Sequence, residues 1–272
     1  IGFKPCWPRI LHFIKKYTMN NLKNQTYHQR FVSTAADLED YKETFDTHGS
    51  KKDLKKLRWM HIENPVGISK VCKTYDKENK LVSILAFMNV VFKIENRKQN
   101  AGQALDLLTD PLHRKKGLFE NAGLAVNNIL ASENYALSYA FANKHSVYGF
   151  TKKLGWESLD PLPFIFKPLR SGYFMKKLLG NRLGSILDFK IFRNAKIILP
   201  AGVTLRAMNQ FNEDSTAVWN SFAKSIKVGI QRDAEYLNWR YVDKPKENYQ
   251  IMGYYQNDRL LGFIVYAMKP KH

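Results

Sequence analysis

Between Leu105 and Ser132 the chain runs from an apolar strand pattern, through the basic turn Arg114-Lys115-Lys116-Gly117, straight into a helical pattern. Few arrangements satisfy that order. The first N–H groups of such a helix have no partner within it and carry the positive end of the helix dipole, so the turn is a ready anion site. Arg114, Lys115 and Lys116 add mobile positive charge, and Gly117 removes the side chain that would hold a phosphate away from the backbone. The spacing predicts a strand over Ala104 to Thr109 and a helix over Leu118 to Ser132, with Leu118, Ala122, Val126 and Ile129 on one face.

The segment Arg114-Lys115-Lys116-Gly117-Leu118-Phe119 resembles the acetyl-CoA loop of the GNAT acyltransferase superfamily: Arg or Gln, two residues, Gly, one residue, then Gly or Ala. Phe119 stands where a small residue is usual. A second segment, Asn143 to Trp156, is similar to the superfamily motif in which an Asn leaves the fifth strand, a helix follows and Leu-Gly-aromatic closes it, here Leu154-Gly155-Trp156. Gly155 suits the position just past a helix end. Many members carry a Tyr four residues before that Gly, where it protonates the departing thiolate. This chain has Thr151 there, and Tyr148, one helical turn earlier, is the nearest phenol.

The resemblance implies an α/β fold, a GNAT-like mixed, mostly antiparallel sheet flanked by helices. It implies acetyl-CoA as co-substrate, bound through the backbone of Leu107, Leu108 and Thr109, the loop Arg114 to Phe119, and Asn143. A primary amine would attack the thioester in a ternary complex, and a carboxylate or a water chain must first take its proton. Asp106 is the candidate base, since alternation places it opposite Leu107 in an otherwise apolar strand, with Glu63 in reserve. Tyr148 is the candidate acid.

The chain also repeats itself. Asp53, Leu57, Trp59 and Pro65 line up with Asp233, Leu237, Trp239 and Pro245, and each set leads into two strands joined by a polar turn. The second copy stops after its hairpin. The expected organisation is an N-terminal helical extension (1–27), one complete GNAT domain (28–170), a connecting helix (171–200) and a partial second GNAT-like domain (201–272). The last apolar strand, Leu260 to Met268, would present an open edge, from which a covering element or a homodimer is expected.

Composition narrows the class without naming the acceptor. No apolar run reaches the roughly 20 residues of a transmembrane helix. Cys6 and Cys72 form neither a disulfide framework nor a metal cluster, and the seven His have no metal-ligand spacing, so a cytoplasmic enzyme without metal is expected. The chain does not open on Met and shows no signal peptide, as expected of a fragment or a trimmed segment. The net charge of +19 exceeds what CoA phosphates require and suits an anionic acceptor, a membrane surface or, less favoured, tRNA. The amphipathic basic stretches near Ile10 to Tyr17 and over 171–200 read as docking helices or as membrane-surface elements. The expected function is N-acetylation of a small amine or an amino sugar, as in bacterial polysaccharide biosynthesis. The alternatives are a Fem-type aminoacyl-tRNA-dependent transferase and a non-catalytic acyl-CoA-binding module.

Overall fold

The computed structural model describes residues 26–160, 170–191 and 198–268. The N-terminal extension expected over 1–27 lies almost wholly outside them. The described residues fall into two compact units, one within 1–156 and 205–272 and one within 157–204.

The larger unit is built on a sheet ordered β1 (His28–Phe31), β2 (Lys70–Tyr75), β3 (Leu81–Ile94), β4 (Arg97–Thr109), β5 (Leu137–Ala140). All neighbours are antiparallel except β4 and β5. The apolar run from Leu81 is continuous because both faces of its strand are covered. Ile84 and Ala86 meet Tyr41, Phe45 and Leu57, from helices α1 (Glu39–Thr47) and α2 (Leu54–His61). Leu85 and Phe87, pointing the other way, meet Ala122, Val126 and Leu130 of α3 (Leu118–Ser132). Helix α3 has the bounds that its periodicity predicts. Strand β4 is longer than expected: its polar first half, Arg97 to Asn100, pairs with the far end of β3 through Ile94↔Arg97 to Val91↔Asn100, a register that residue type does not reveal.

A second sheet, ordered β6 (Val203–Met208), β8 (Gln250–Gln256), β9 (Arg259–Tyr266), belongs to the C-terminal part. It is lined by Phe211, Leu237, Ile251 and Phe263, beside α5 (Glu213–Ala223) and α6 (Ala234–Leu237). Residues 205–272 share a unit with the first sheet because β7 (Val228–Ile230) adds to β3, from Phe92↔Ile230 to Ile94↔Val228. Among the described residues β9 pairs only with β8, so its outer edge carries no strand.

The repeated residues occupy matching places. Asp53 caps α2 by accepting from Lys56 N at 2.9 Å, and Asp233 caps α6 by accepting from Tyr236 N at 3.1 Å. Leu57 and Leu237 are both buried. Trp59 and Trp239 stack at 4.7 Å between centroids. Each indole N–H donates to the other's backbone carbonyl, Trp59 to Trp239 at 2.8 Å and Trp239 to Trp59 at 3.1 Å.

The smaller unit holds α4 (Gly172–Ile186), where a connecting helix over 171–200 is expected. The helix is not continuous: Gly180 adopts φ 78°, ψ 168°, and folds it into two arms. Residues 192–197 lie outside the described set. Among the described residues no helix is long and apolar enough to cross a membrane.

Candidate active site

Strands β4 and β5 part company after Ala104↔Ala140, the last pair of their parallel register. Strand β4 continues to Thr109 with β3 as its partner, from Leu85↔Leu107 to Ser83↔Thr109, while the chain beyond Ala140 turns away. The divergence leaves a cleft of about 300 Å³ whose walls include Phe45, Asp106, Leu107, Phe141, Asn143 and His145. Backbone of β4 therefore borders open space along one side, the condition for a bound chain to add itself as a strand.

At the end of β4 the strand does not enter the helix directly. A short turn, Pro111–His113, intervenes, held by Asp110, whose carboxylate accepts from Leu112 N at 2.9 Å. Arg114, Lys115, Lys116 and Gly117 then cross the surface exposed, with Arg114 Nε donating back to Thr109 O at 3.3 Å. Gly117 sits at φ 74° with nothing within 4 Å of where a Cβ would stand, and it heads the 15-residue helix α3. Lys115 is also left-handed, at φ 60°. Two left-handed residues in one basic turn aim successive N–H groups outward, which fits a pyrophosphate. Leu118 faces the core and is buried. Phe119 turns inward too: its ring meets Phe150 edge-on at 5.4 Å, and a Cβ on Gly149 would lie 2.9 Å from it. The bulky residue at this place in the loop is thus accommodated by a glycine opposite it, and the loop stays open.

Asp106 lies on the cleft wall with one oxygen engaged. Its Oδ2 accepts from the Tyr41 hydroxyl at 2.7 Å and from Lys52 Nζ at 2.6 Å. Lys52 also rests 4.3 Å over the Phe45 ring. Tyr41 is wholly buried, and burial together with the Asp106 charge holds its phenol well above the usual range, so it stays a donor. Beside Tyr41, at 5.6 Å between ring centroids, is His61, fully buried with neither ring nitrogen hydrogen-bonded. Burial drives its pKa down to about 4. The sign follows: the unfolded chain binds a proton near pH 6.5 that the folded chain refuses until about pH 4, so stability falls as pH drops through that window. The loss expected from this group is roughly 3 kcal/mol. Urea denaturation of wild type and His61→Phe between pH 7 and 4 checks it, and equal pH slopes would remove His61 as the cause.

The remaining expected residues are placed less centrally. Asn143 lines the cleft, but its Oδ1 accepts from His145 N at 2.9 Å and Ser146 N at 3.1 Å, which shapes the loop after β5. Tyr148 is 62% exposed and does not line the cleft; it heads a π-helical turn, Gly149–Lys153. The Thr151 hydroxyl donates to Val147 O at 2.9 Å. Glu63 pairs with Arg58 at 2.6 Å on the surface. Lys52, Tyr41 and His61 are the members that sequence reading missed. Lys52 sits in a basic run that reads only as surface charge, and Tyr41 shares the helical i, i+4 spacing with Phe45 that reads as core.

No protein-family model matches the chain. No curated protein matches it either. Solved structures do. A probable N-acyltransferase from Enterococcus faecalis V583, 12% identical, aligns over 90% of this chain with a TM-score of 0.58, and this chain spans 56% of that protein. An acetyltransferase from Trypanosoma brucei, 15% identical, covers 52% of this chain and 99% of its own length at a TM-score of 0.43. A glucosamine-6-phosphate N-acetyltransferase from Arabidopsis thaliana, 13% identical, covers 52% and 99% at 0.38. The Enterococcus faecalis match establishes the architecture as GNAT-like: a mixed α/β fold on a mostly antiparallel sheet flanked by helices.

Proposed function

We propose that the chain is an acetyl-CoA-dependent N-acetyltransferase that acetylates a primary amine of a small molecule or an amino sugar in a ternary complex. The observation that carries this reading is the continuity of the site. One stretch of β4, Ala104 to Thr109, borders the cleft, carries Asp106 and leads into the glycine-headed anion turn of α3. The GNAT-like fold agrees with it. Acetyl-CoA would supply an acyl group already activated as a thioester.

The chain's own residues have separable roles in this reading. The turn Arg114 to Gly117 holds the phosphates, and the open side of Leu107 to Thr109 orients the pantetheine amides. Asp106, fixed by Tyr41 and Lys52 through one oxygen, attracts the acceptor ammonium and takes its proton, freeing the lone pair for attack. A new C–N bond forms as C–S breaks; the nitrogen then gives up a second proton, and the thiolate takes up one, directly or through solvent. Asp106→Asn is expected to lower turnover on the order of 10²-fold with CoA affinity unchanged. Thiol release from acetyl-CoA across a panel of amines, with calorimetry of CoA beside it, checks both halves. Tyr148→Phe serves as a comparison, expected to retain turnover because the phenol lies off the cleft lining. Normal turnover in Asp106→Asn would remove the carboxylate from the chemistry.

Two further readings belong here. Thr151, with its hydroxyl committed to Val147 O, leaves the usual acid position without a proton donor and favours slow turnover or an acyl-CoA-binding module. The reciprocal tryptophans, paired caps and paired core leucines support an internal duplication, with residues 201–272 as a partial second GNAT-like domain.

A further inference from the structure

The smaller unit, residues 157–204, carries an apolar surface that none of its described residues covers. Helix α4 doubles back at Gly180, and its arms touch so closely that a Cβ on Gly184 would lie 2.3 Å from the Lys176 backbone. The ends are tied together: Ser171 N donates to Phe189 O at 3.0 Å, and the Ser171 hydroxyl donates to Leu187 O at 2.6 Å. The result is a stapled helical hairpin. Glycine at the contact lets the arms close without burying large side chains, which are therefore left outside. Leu178 is 75% exposed, Ile186 79%, Leu183 59% and Phe189 60%.

Charge identifies the partner. Lys176, Lys177, Arg182 and Lys190 are exposed on the same hairpin. The single acid between Arg170 and Ile191, Asp188, is occupied by the Arg170 guanidinium at 3.0 Å and by Gly172 N at 3.0 Å. Long aliphatic side chains interleaved with exposed ammonium and guanidinium groups suit an anionic lipid surface: the apolar groups enter the acyl boundary while the cations reach the headgroups. Such a surface needs no groove. We infer that the α4 hairpin is a peripheral membrane anchor that holds this protein on anionic lipid.

The test is co-sedimentation of the full chain with vesicles of phosphatidylcholine alone or mixed with phosphatidylglycerol. Binding is expected to the mixed vesicles and not to phosphatidylcholine. The double variant Leu178→Glu/Ile186→Glu should weaken it on the order of 10²-fold, and Lys176→Ala/Lys177→Ala/Arg182→Ala by a similar factor. Wild type that ignores the mixed vesicles overturns the inference. So does a Leu178→Glu/Ile186→Glu protein that binds like wild type, since lipid contact would then be made elsewhere, and so does retention on RNA without vesicle binding. Tyr173→Trp gives a readout that does not depend on disruptive substitutions: its emission should shift to the blue with mixed vesicles, and an unshifted spectrum counts against the anchor.

Discussion

Gly117→Glu is expected to abolish CoA binding. Gly117 is left-handed at φ 74°, so any side chain is strained there, and the glutamate would project into the space left open for the phosphates. Two like charges at contact distance near a protein surface repel by about 4 kcal/mol, which corresponds to on the order of 10³-fold in affinity. Gly117→Ala separates the two effects. Nothing lies within 4 Å of its new Cβ, so only backbone strain of about 1–2 kcal/mol remains. Calorimetry should rank wild type above alanine and alanine far above glutamate. Equal affinity in all three would remove the turn from the binding site.

The second large effect is structural. Trp59→Ala and Trp239→Ala are each expected to cost about 3–5 kcal/mol, because each removes a buried indole, its stacking contact and one hydrogen bond. For a chain of this size that is a fall of roughly 10 °C or more in thermal midpoint. The two residues touch, so the double variant should cost less than the sum of the singles. Tryptophan to phenylalanine keeps most of the stack and loses the N–H donor, with an expected cost of about 1 kcal/mol. Strictly additive losses would show that the pair is not a coupled unit and would weaken the case for the internal duplication proposed above.

Local signals were legible in the sequence because they are written in consecutive residues. The period of Leu118, Ala122 and Val126 gave helix α3 its bounds, and Gly117 marked the turn at its head, which the structure shows to be left-handed. The hairpin turn Asp76 to Lys80 was readable as well: the Asp76 carboxylate accepts from Glu78 N and Lys80 N, both at 3.0 Å. Asp53 and Asp233 were legible only as matching positions of a repeat; the structure shows that each caps a helix by accepting from an N–H three residues on.

Tertiary structure decided what lies between distant residues. Asp106 could be seen as an acid in an apolar strand, but Tyr41 and Lys52, its partners, stand 65 and 54 residues away. They reach it only because α1 and α2 lie on the face of the sheet toward which Asp106 points. The three residues of β7 are too few to show a period, and they form a strand because β3 offers them an unpaired edge. Phe119 was ambiguous by itself, and Gly149 settled its direction by leaving room for the ring. Periodicity and turn residues thus determined the elements and the basic turn at the head of α3, because each depends on a few neighbouring residues. Sheet register, strand divergence and the packing of helices on the sheet decided the cleft and the company Asp106 keeps, because those depend on which surfaces fit together once the chain has closed on itself.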